Sequence, residues 1–299
     1  MNRKTAVGLS LIGCAIFVLG IAMLRLYFPP NSKPSPGTVS AASGPSTTTW
    51  PLSGIGKTTN ARLVVVYDNN PYDARLKPMW GFSCVVEVDE ATVLFDTGGD
   101  PNNLLKNMAL MAVDPGDFEA IILSHIHGDH TGGLPAVLEK NREAIVYMPV
   151  SFPDDFRRDT ERRGNEVVEV EEALTICKGV ATTGQLGTAV KEQSLIVNTE
   201  RGVIVVTGCA HPGVVNVVRK AKDLTDGVIH LVIGGFHLSG RTEDEISNII
   251  EQLRGIGVQS VAPCHCSGEL ARTMFGKAFD EGYIEAGVGR DIEVAQPTV

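Results

Sequence analysis

The chain has 299 residues, 43% hydrophobic and 20% charged, enough apolar content to bury one large core or two small ones. Its formal net charge of -9 repels polyanions. Because nucleic-acid binders draw affinity from Lys and Arg facing phosphates, a nucleic-acid partner is disfavoured.

Arg3 and Lys4 precede an apolar run over residues 5–24 that Arg25 closes. As a helix the run would span roughly 30 Å, the hydrocarbon thickness of a bilayer, so residues 1–28 read as an uncleaved membrane anchor. A cleaved signal has a shorter apolar stretch with a small-residue site close behind it, and the nearest such site, Val39-Ser40-Ala41, lies far downstream. Leu11-Ile12-Gly13-Cys14 matches a lipoprotein box weakly, since apolar sequence continues past Cys14. Residues 29–61 begin with a stretch dense in Pro, Ser, Thr and Gly and read as a linker, leaving 62–299 as the folded domain. Positive charges flank the run almost equally, Arg3 and Lys4 against Arg25 and Lys33, and the reading adopted is a single-pass protein with its domain outside the cytoplasm.

Short β-branched runs bounded by turn residues predict strands at 63–67, 83–88 and 92–95. A helix over 103–112 follows Pro101, then a strand at 120–124 and a helix at 134–140. The charged stretch 154–163 reads as a solvated helix or lid edge. Beyond it come strands at 194–198, 203–207, 230–233 and 259–262, with helices at 214–222 and 243–254. Both halves carry strands and helices, as in a two-sheet sandwich with outer helices. The domain's five cysteines, Cys84, Cys177, Cys209, Cys264 and Cys266, are odd in number and show no staple pattern, leaving free thiols, metal-associated thiols and disulfides open.

Chemistry concentrates in Ser124-His125-Ile126-His127-Gly128-Asp129-His130-Thr131-Gly132-Gly133-Leu134. In an extended segment residues two apart face the same side, so His125 and His127 can converge on one ion, and the following turn can present Asp129 and His130 to a second. Imidazole and carboxylate suit zinc, and also iron or manganese. Gly128, Gly132 and Gly133 would let the backbone bend around the site. Three further histidines follow apolar strands: His211, His237 and His265. His230, inside a strand, reads as structural, and Ser124 as a support for the motif.

The His-x-His-x-Asp-His pattern resembles the signature of the metallo-β-lactamase superfamily. Trp80-Gly81-Phe82-Ser83, Phe95-Asp96-Thr97-Gly98, Thr207-Gly208-Cys209-Ala210-His211-Pro212-Gly213, Gly234-Gly235-Phe236-His237-Leu238 and Pro263-Cys264-His265-Cys266 are similar to its dihydropterin ribofuranosylaminobenzene-phosphate synthase-like subgroup. The resemblance implies an α+β fold, a four-layer αβ/βα sandwich with one or two metals at one edge of the paired sheets. It implies His125, His127, Asp129, His130, His211 and His265 as ligands, His211 and His265 being carried over by chain order. His237 is open between metal ligand, binder of an anionic substrate group and structural residue. Many dinuclear members carry a bridging Asp where this chain has Cys209, a thiol that is either a ligand or a core residue. Asp96 matches the carboxylate that orients a ligand histidine.

The implied activity is hydrolysis by metal-bound hydroxide of an ester, lactone or phosphoester in a small polar metabolite, with zinc as the favoured ion. Alternatives are iron-dependent oxygen or persulfide chemistry, and a catalytically silent membrane-anchored binding module. The anchor has its own test. Full-length protein is expected to stay with membranes through alkaline carbonate washing, and recovery of mature protein lacking about its first forty residues would show a cleaved signal instead.

Overall fold

The central strands of this chain are apolar on both faces because a sheet lies on one side of them and helices on the other. The computed structural model describes residues 54–89 and 91–295. The apolar run at 5–24 lies outside these residues, and among the described residues no helix is long and apolar enough to cross a membrane. The first sheet comprises β1 (Ala61–Tyr67), β2 (Ser83–Val88), β3 (Ala91–Phe95), β4 (Ala120–Ile122), β5 (Ile145–Pro149), β6 (Val167–Val170) and β13 (Asp291–Val294), in the order β13-β1-β2-β3-β4-β5-β6. The second comprises β7 (Glu172–Cys177), β8 (Val180–Gly184), β9 (Leu195–Thr199), β10 (Gly202–Thr207), β11 (Ile229–Gly235) and β12 (Ser260–Cys264), in the order β12-β11-β10-β9-β8-β7.

Period-two alternation sorts side chains into layers. Leu63 and Val65 of β1 meet Ile204 and Val206 of β10 in a core between the sheets. Their neighbours Val64 and Val66 face outward, against Leu104 and Met108 of α1 (Pro101–Leu110) and Val137 of α3 (Leu134–Lys140). On the other flank Val203 and Val205 pack against Val217, Val218, Ile246, Leu253 and Phe275 of α5 (Val214–Thr225), α6 (Glu243–Ile256) and α7 (Glu269–Phe279). The architecture is therefore the αβ/βα sandwich. A single turn, α2 (Gly128–Thr131), and the charged helix α4 (Asp154–Arg162) complete the set. In α4 the i,i+4 pairs Arg157–Glu161 and Arg158–Asp154 lie along the helix surface, as the charge run predicts.

Helix ends follow local chemistry. Asp100 caps α1 by accepting from the Asn103 amide at 2.7 Å, with Pro101 at the first turn. Thr242 and Glu245 form a reciprocal capping box on α6, and Gly257, at φ 94°, ends it. Six elements were not read from the sequence: β5, β6, β7, β8, β13 and α7. β7 is a half-exposed edge strand without an apolar run, and α7 carries only two buried residues, Ala271 and Phe275. Packing also starts ahead of Arg62. Ile55 is buried in the second flank, and Thr58 donates its amide to the Asn198 carbonyl at 2.9 Å.

β3 to β6 run parallel, as do β10 to β12, so the loops leaving β3, β4, β10, β11 and β12 gather at strand carboxyl ends, the usual place for ligands in such sheets. The layer assignment predicts graded stability losses in denaturant unfolding. Phe275→Ala, at a fully buried site, should cost about 3–5 kcal/mol, and Thr242→Ala about 1 kcal/mol. A Phe275→Ala cost no larger than that of Thr242→Ala would contradict the docking of α7.

Candidate metal centre

Ligand atoms of six of the sequence-selected residues fall into two adjacent trios. In one, those of His125, His127 and His211 lie within 4.8 Å of each other; in the other, those of Asp129, His130 and His265 do. Cys209 joins them, within the same limit of His125 and His130 in one grouping and of His211 and His237 in another. The two rings His125 and His130 are 4.2 Å apart between centroids.

Four of the five imidazoles in the trios are held from behind, which decides the nitrogen each turns inward. Ser124 donates its hydroxyl to Asp96 Oδ2 at 2.6 Å, so its oxygen is left to accept from His125 Nδ1 at 2.8 Å. That puts the His125 proton on Nδ1 and leaves the Nε2 lone pair as an acceptor facing His127 Nδ1 at 3.0 Å. His130 Nδ1 lies 2.7 Å from Asp96 Oδ2, and His265 Nδ1 lies 2.9 Å from Asn69 Oδ1. His211 Nδ1 donates to Glu192 Oε2 at 2.8 Å. His265 Nε2 is buried with no hydrogen-bond partner. A buried nitrogen without a hydrogen bond, facing a carboxylate and another imidazole, fits a cation ligand, as does the carboxylate or hydroxyl behind neighbouring rings.

Protonation states agree with this fit. Burial, reinforced by neighbouring imidazoles, lowers His125 and His130 to about 3, so both are neutral near pH 7 and able to donate lone pairs. The His130–Asp96 contact is accordingly a hydrogen bond between a neutral ring and a carboxyl that burial pushes up to about 7. Burial raises Asp129 too, but its 3.4 Å contact with His265 Nε2 and the neighbouring imidazoles outweigh it and hold the carboxylate far below its usual range. His237 is exposed, and its hydrogen bond with Cys266 raises its pKa. Its ring lies 4.5 Å from that of His211, at the junction of two clefts of 410 and 470 Å³ that also share His211 and Asn216.

Backbone strain is concentrated here. Asp96, Ala210, His237 and His265 all have φ between 47° and 57°, the left-handed region, at a cost on the order of 1–3 kcal/mol each. These residues terminate strands and turn sharply so that consecutive side chains reach the cluster. A side chain at Gly208 would collide with Ser124 Oγ and Asp96 Oδ2, so glycine there is what lets β10 pass under the motif. The motif glycines act differently from expectation. Gly132 and Gly133 have ordinary helical φ and serve close approach to the carbonyls of Gly99 and Thr97, while Gly128 has open space around it. Gly235 is likewise a packing glycine, since its amide donates to the Gly208 carbonyl and is not free for an oxyanion. His230 pairs with Gln259 on the strand surface, away from the cluster.

Three contributors escaped the sequence reading. Glu192, 1% exposed, accepts from the amides of Cys209, Ala210 and His211 at 2.8, 2.8 and 2.9 Å as well as from the His211 ring. Asp68 accepts from the His265 amide at 2.9 Å, and Asn69 holds its ring. Neither site carries a local signal: Asp68-Asn69-Asn70 looks like a turn, and Glu192 looks like a loop carboxylate.

Two stacked sheets with a histidine and carboxylate cluster on the shared edge define a metallo-hydrolase fold. Residues 81–231 match the metallo-beta-lactamase superfamily, and the chain belongs to that family. It is an enzyme of this superfamily, whose fold implies divalent metal binding. It is 28% identical over 294 residues to a 7,8-dihydropterin-6-methyl-4-(beta-D-ribofuranosyl)-aminobenzene-5'-phosphate synthase from Methanocaldococcus jannaschii, covering 81% of this chain and 99% of the relative. The crystal structure of Tm1679, a metal-dependent hydrolase of the beta-lactamase superfamily, superposes with a TM-score of 0.66 at 28% identity, covering 79% of this chain and all of that one. The metallo-beta-lactamase fold protein YhfI from Bacillus subtilis shares the fold at 14% identity and a TM-score of 0.59.

Burial raises the Glu192 carboxyl, but hydrogen bonds from His211 outweigh it and bring it from an ordinary 4.5 to about 2. Its ionised form is thus favoured by folding, so its contribution is complete above pH 4.5 and is lost as pH falls toward 2. In chelator-treated protein, Glu192→Gln should flatten the loss of unfolding free energy across that window. An unchanged acid slope would show that Glu192 is not ionised in the folded state.

Proposed function

We propose that this chain is a zinc-dependent hydrolase that opens an ester, lactone or phosphoester bond in a small polar metabolite. The reading is carried by one observation, the adjacency of the trios His125, His127, His211 and Asp129, His130, His265 on a single sheet edge. When bound in such donors, a divalent ion lowers the pKa of a bound water from 15.7 to about 7 and polarises the bond under attack. The remaining work falls to the chain. Asp96, Ser124, Glu192 and Asn69 keep the rings oriented, and neutral His125 and His130 need no proton removed before they donate. His237, exposed and raised in pKa by its Cys266 contact, sets an imidazole at the cleft for a phosphate or carboxylate of the substrate. Trp80 is 58% exposed with its ring 4.8 Å from that of His265, offering a flat apolar face beside the ions.

The phosphate and pterin in the name of the Methanocaldococcus jannaschii relative support a phosphorylated or flat-ringed metabolite. Net charge of -9 argues against a nucleic-acid polymer. The proposal retains the run at 5–24 as a tether that keeps the domain at a membrane surface, outside the cytoplasm.

Full-length protein is expected to copurify with one or two zinc ions per chain. His127→Ala and His265→Ala should each lower metal content and reduce kcat/KM on phosphoester or lactone substrates by about 100-fold or more. His237→Ala should keep its metal while raising KM. Unchanged metal in both ligand variants would overturn the site, and efficient turnover of β-lactams without activity on phosphoesters or lactones would overturn the substrate class.

A further inference from the structure

Five cysteines are described, none in a disulfide and four of them buried, and the buried four occupy two kinds of environment. Cys84 and Cys264 sit in the apolar core between the sheets, where a thiol behaves as a small hydrophobe. Cys209 and Cys266 belong to none of the three apolar clusters, although they are only 4% and 5% exposed. Their neighbours are metal-type donors. Cys209 Sγ lies 3.3 Å from His130 Nε2, and the ligand atoms of Cys209, Cys266 and His265 are all within 4.8 Å of one another. Space is kept for the pair: a side chain at Gly235 would come within 2.7 Å of Cys266 Sγ and 3.2 Å of Cys209 Cα. His265 Nε2 is buried without a hydrogen bond.

Resting on the metal-dependent reading above, we propose that Cys266 joins Cys209 as a sulfur donor to the ion held by Asp129, His130 and His265, making that position a mixed nitrogen, oxygen and sulfur site. The chemistry of the donors supports it. Two sulfurs outside the apolar clusters, packed against imidazoles and each other, are at the distances a shared cation would close. Thiolate donors shift preference toward zinc and away from manganese or magnesium, whose ligands are oxygen-rich. The two trios are then unlike: one of three imidazoles, the other softened by sulfur. Cys209, within reach of both His125 and His130, is the link between them.

The test is spectroscopic and does not depend on turnover. Purified full-length protein is stripped with a chelator and reloaded with Co(II), whose visible ligand-field bands report binding and whose near-ultraviolet charge-transfer band reports sulfur. The charge-transfer band is expected in the unsubstituted protein, reduced to about half in Cys266→Ser and in Cys209→Ser and absent from the double variant. A band of full intensity in Cys266→Ser, or a Cys209–Cys266 disulfide in the metal-loaded protein, overturns the proposal. Zinc X-ray absorption of the unsubstituted protein covers variants that do not fold. Two sulfurs per chain at about 2.3 Å are expected, and one or none overturns the assignment. Metal bound with fewer than two sulfurs removes only this donor set, whereas protein that takes up no metal removes the hydrolase reading with it.

Discussion

Buried carboxylates under the histidines are the constraint on which the rest of this structure depends. Asp96 lies beneath His130 and the Ser124–His125 pair, Glu192 beneath the whole turn from Cys209 to His211, and Asp68 beneath the His265 loop. All three are essentially inaccessible to water. A carboxylate so placed is costly unless nearly every oxygen lone pair has a donor, and here most donors come from the cluster and its supports, with Asn70 and the Ser124 hydroxyl completing Asp68 and Asp96. Removing one carboxylate would release several elements at once: Glu192 alone receives three amides and a ring.

The same arrangement explains why the site is strained and still well defined. Left-handed backbone at Asp96, Ala210, His237 and His265 would not persist in isolated loops. It persists because the strands that enter these turns are anchored in apolar layers on both faces, with β10 and β11 fixed between the inter-sheet core and the helices α5 to α7. The energy of the sandwich is thereby used to hold polar groups at its edge in conformations that free chains avoid.

Electrostatics in the cleft differ from those of the molecule. A chain of net charge -9 would repel anions at a distance, yet the cluster sets neutral His125 and His130 beside one acidic carboxylate, Asp129, with His237 at the rim. Such a lining suits a cation inside and leaves an exposed imidazole outside, so local recognition need not follow the long-range charge.

Much of this was legible in the sequence, because the relevant information was local. Apolar alternation located the strands from 63–67 to 120–124 and again from 194–198 to 259–262, and helices at 134–140 and 243–254, since period two and period 3.6 are properties of a few consecutive residues. The cluster at His125 to His130 was visible for the same reason, four donors within one turn of chain. What only the tertiary structure decided involves residues far apart in sequence. Glu192 under His211, Asp68 and Asn69 under His265, and Cys266 beside Cys209 are contacts across 19, 196 and 57 residues, brought about by strands that meet in two sheets. The edge strands β7 and β13 escaped for a related reason: half exposed, they owe their conformation to hydrogen bonds with β8 and β1 and carry little pattern of their own.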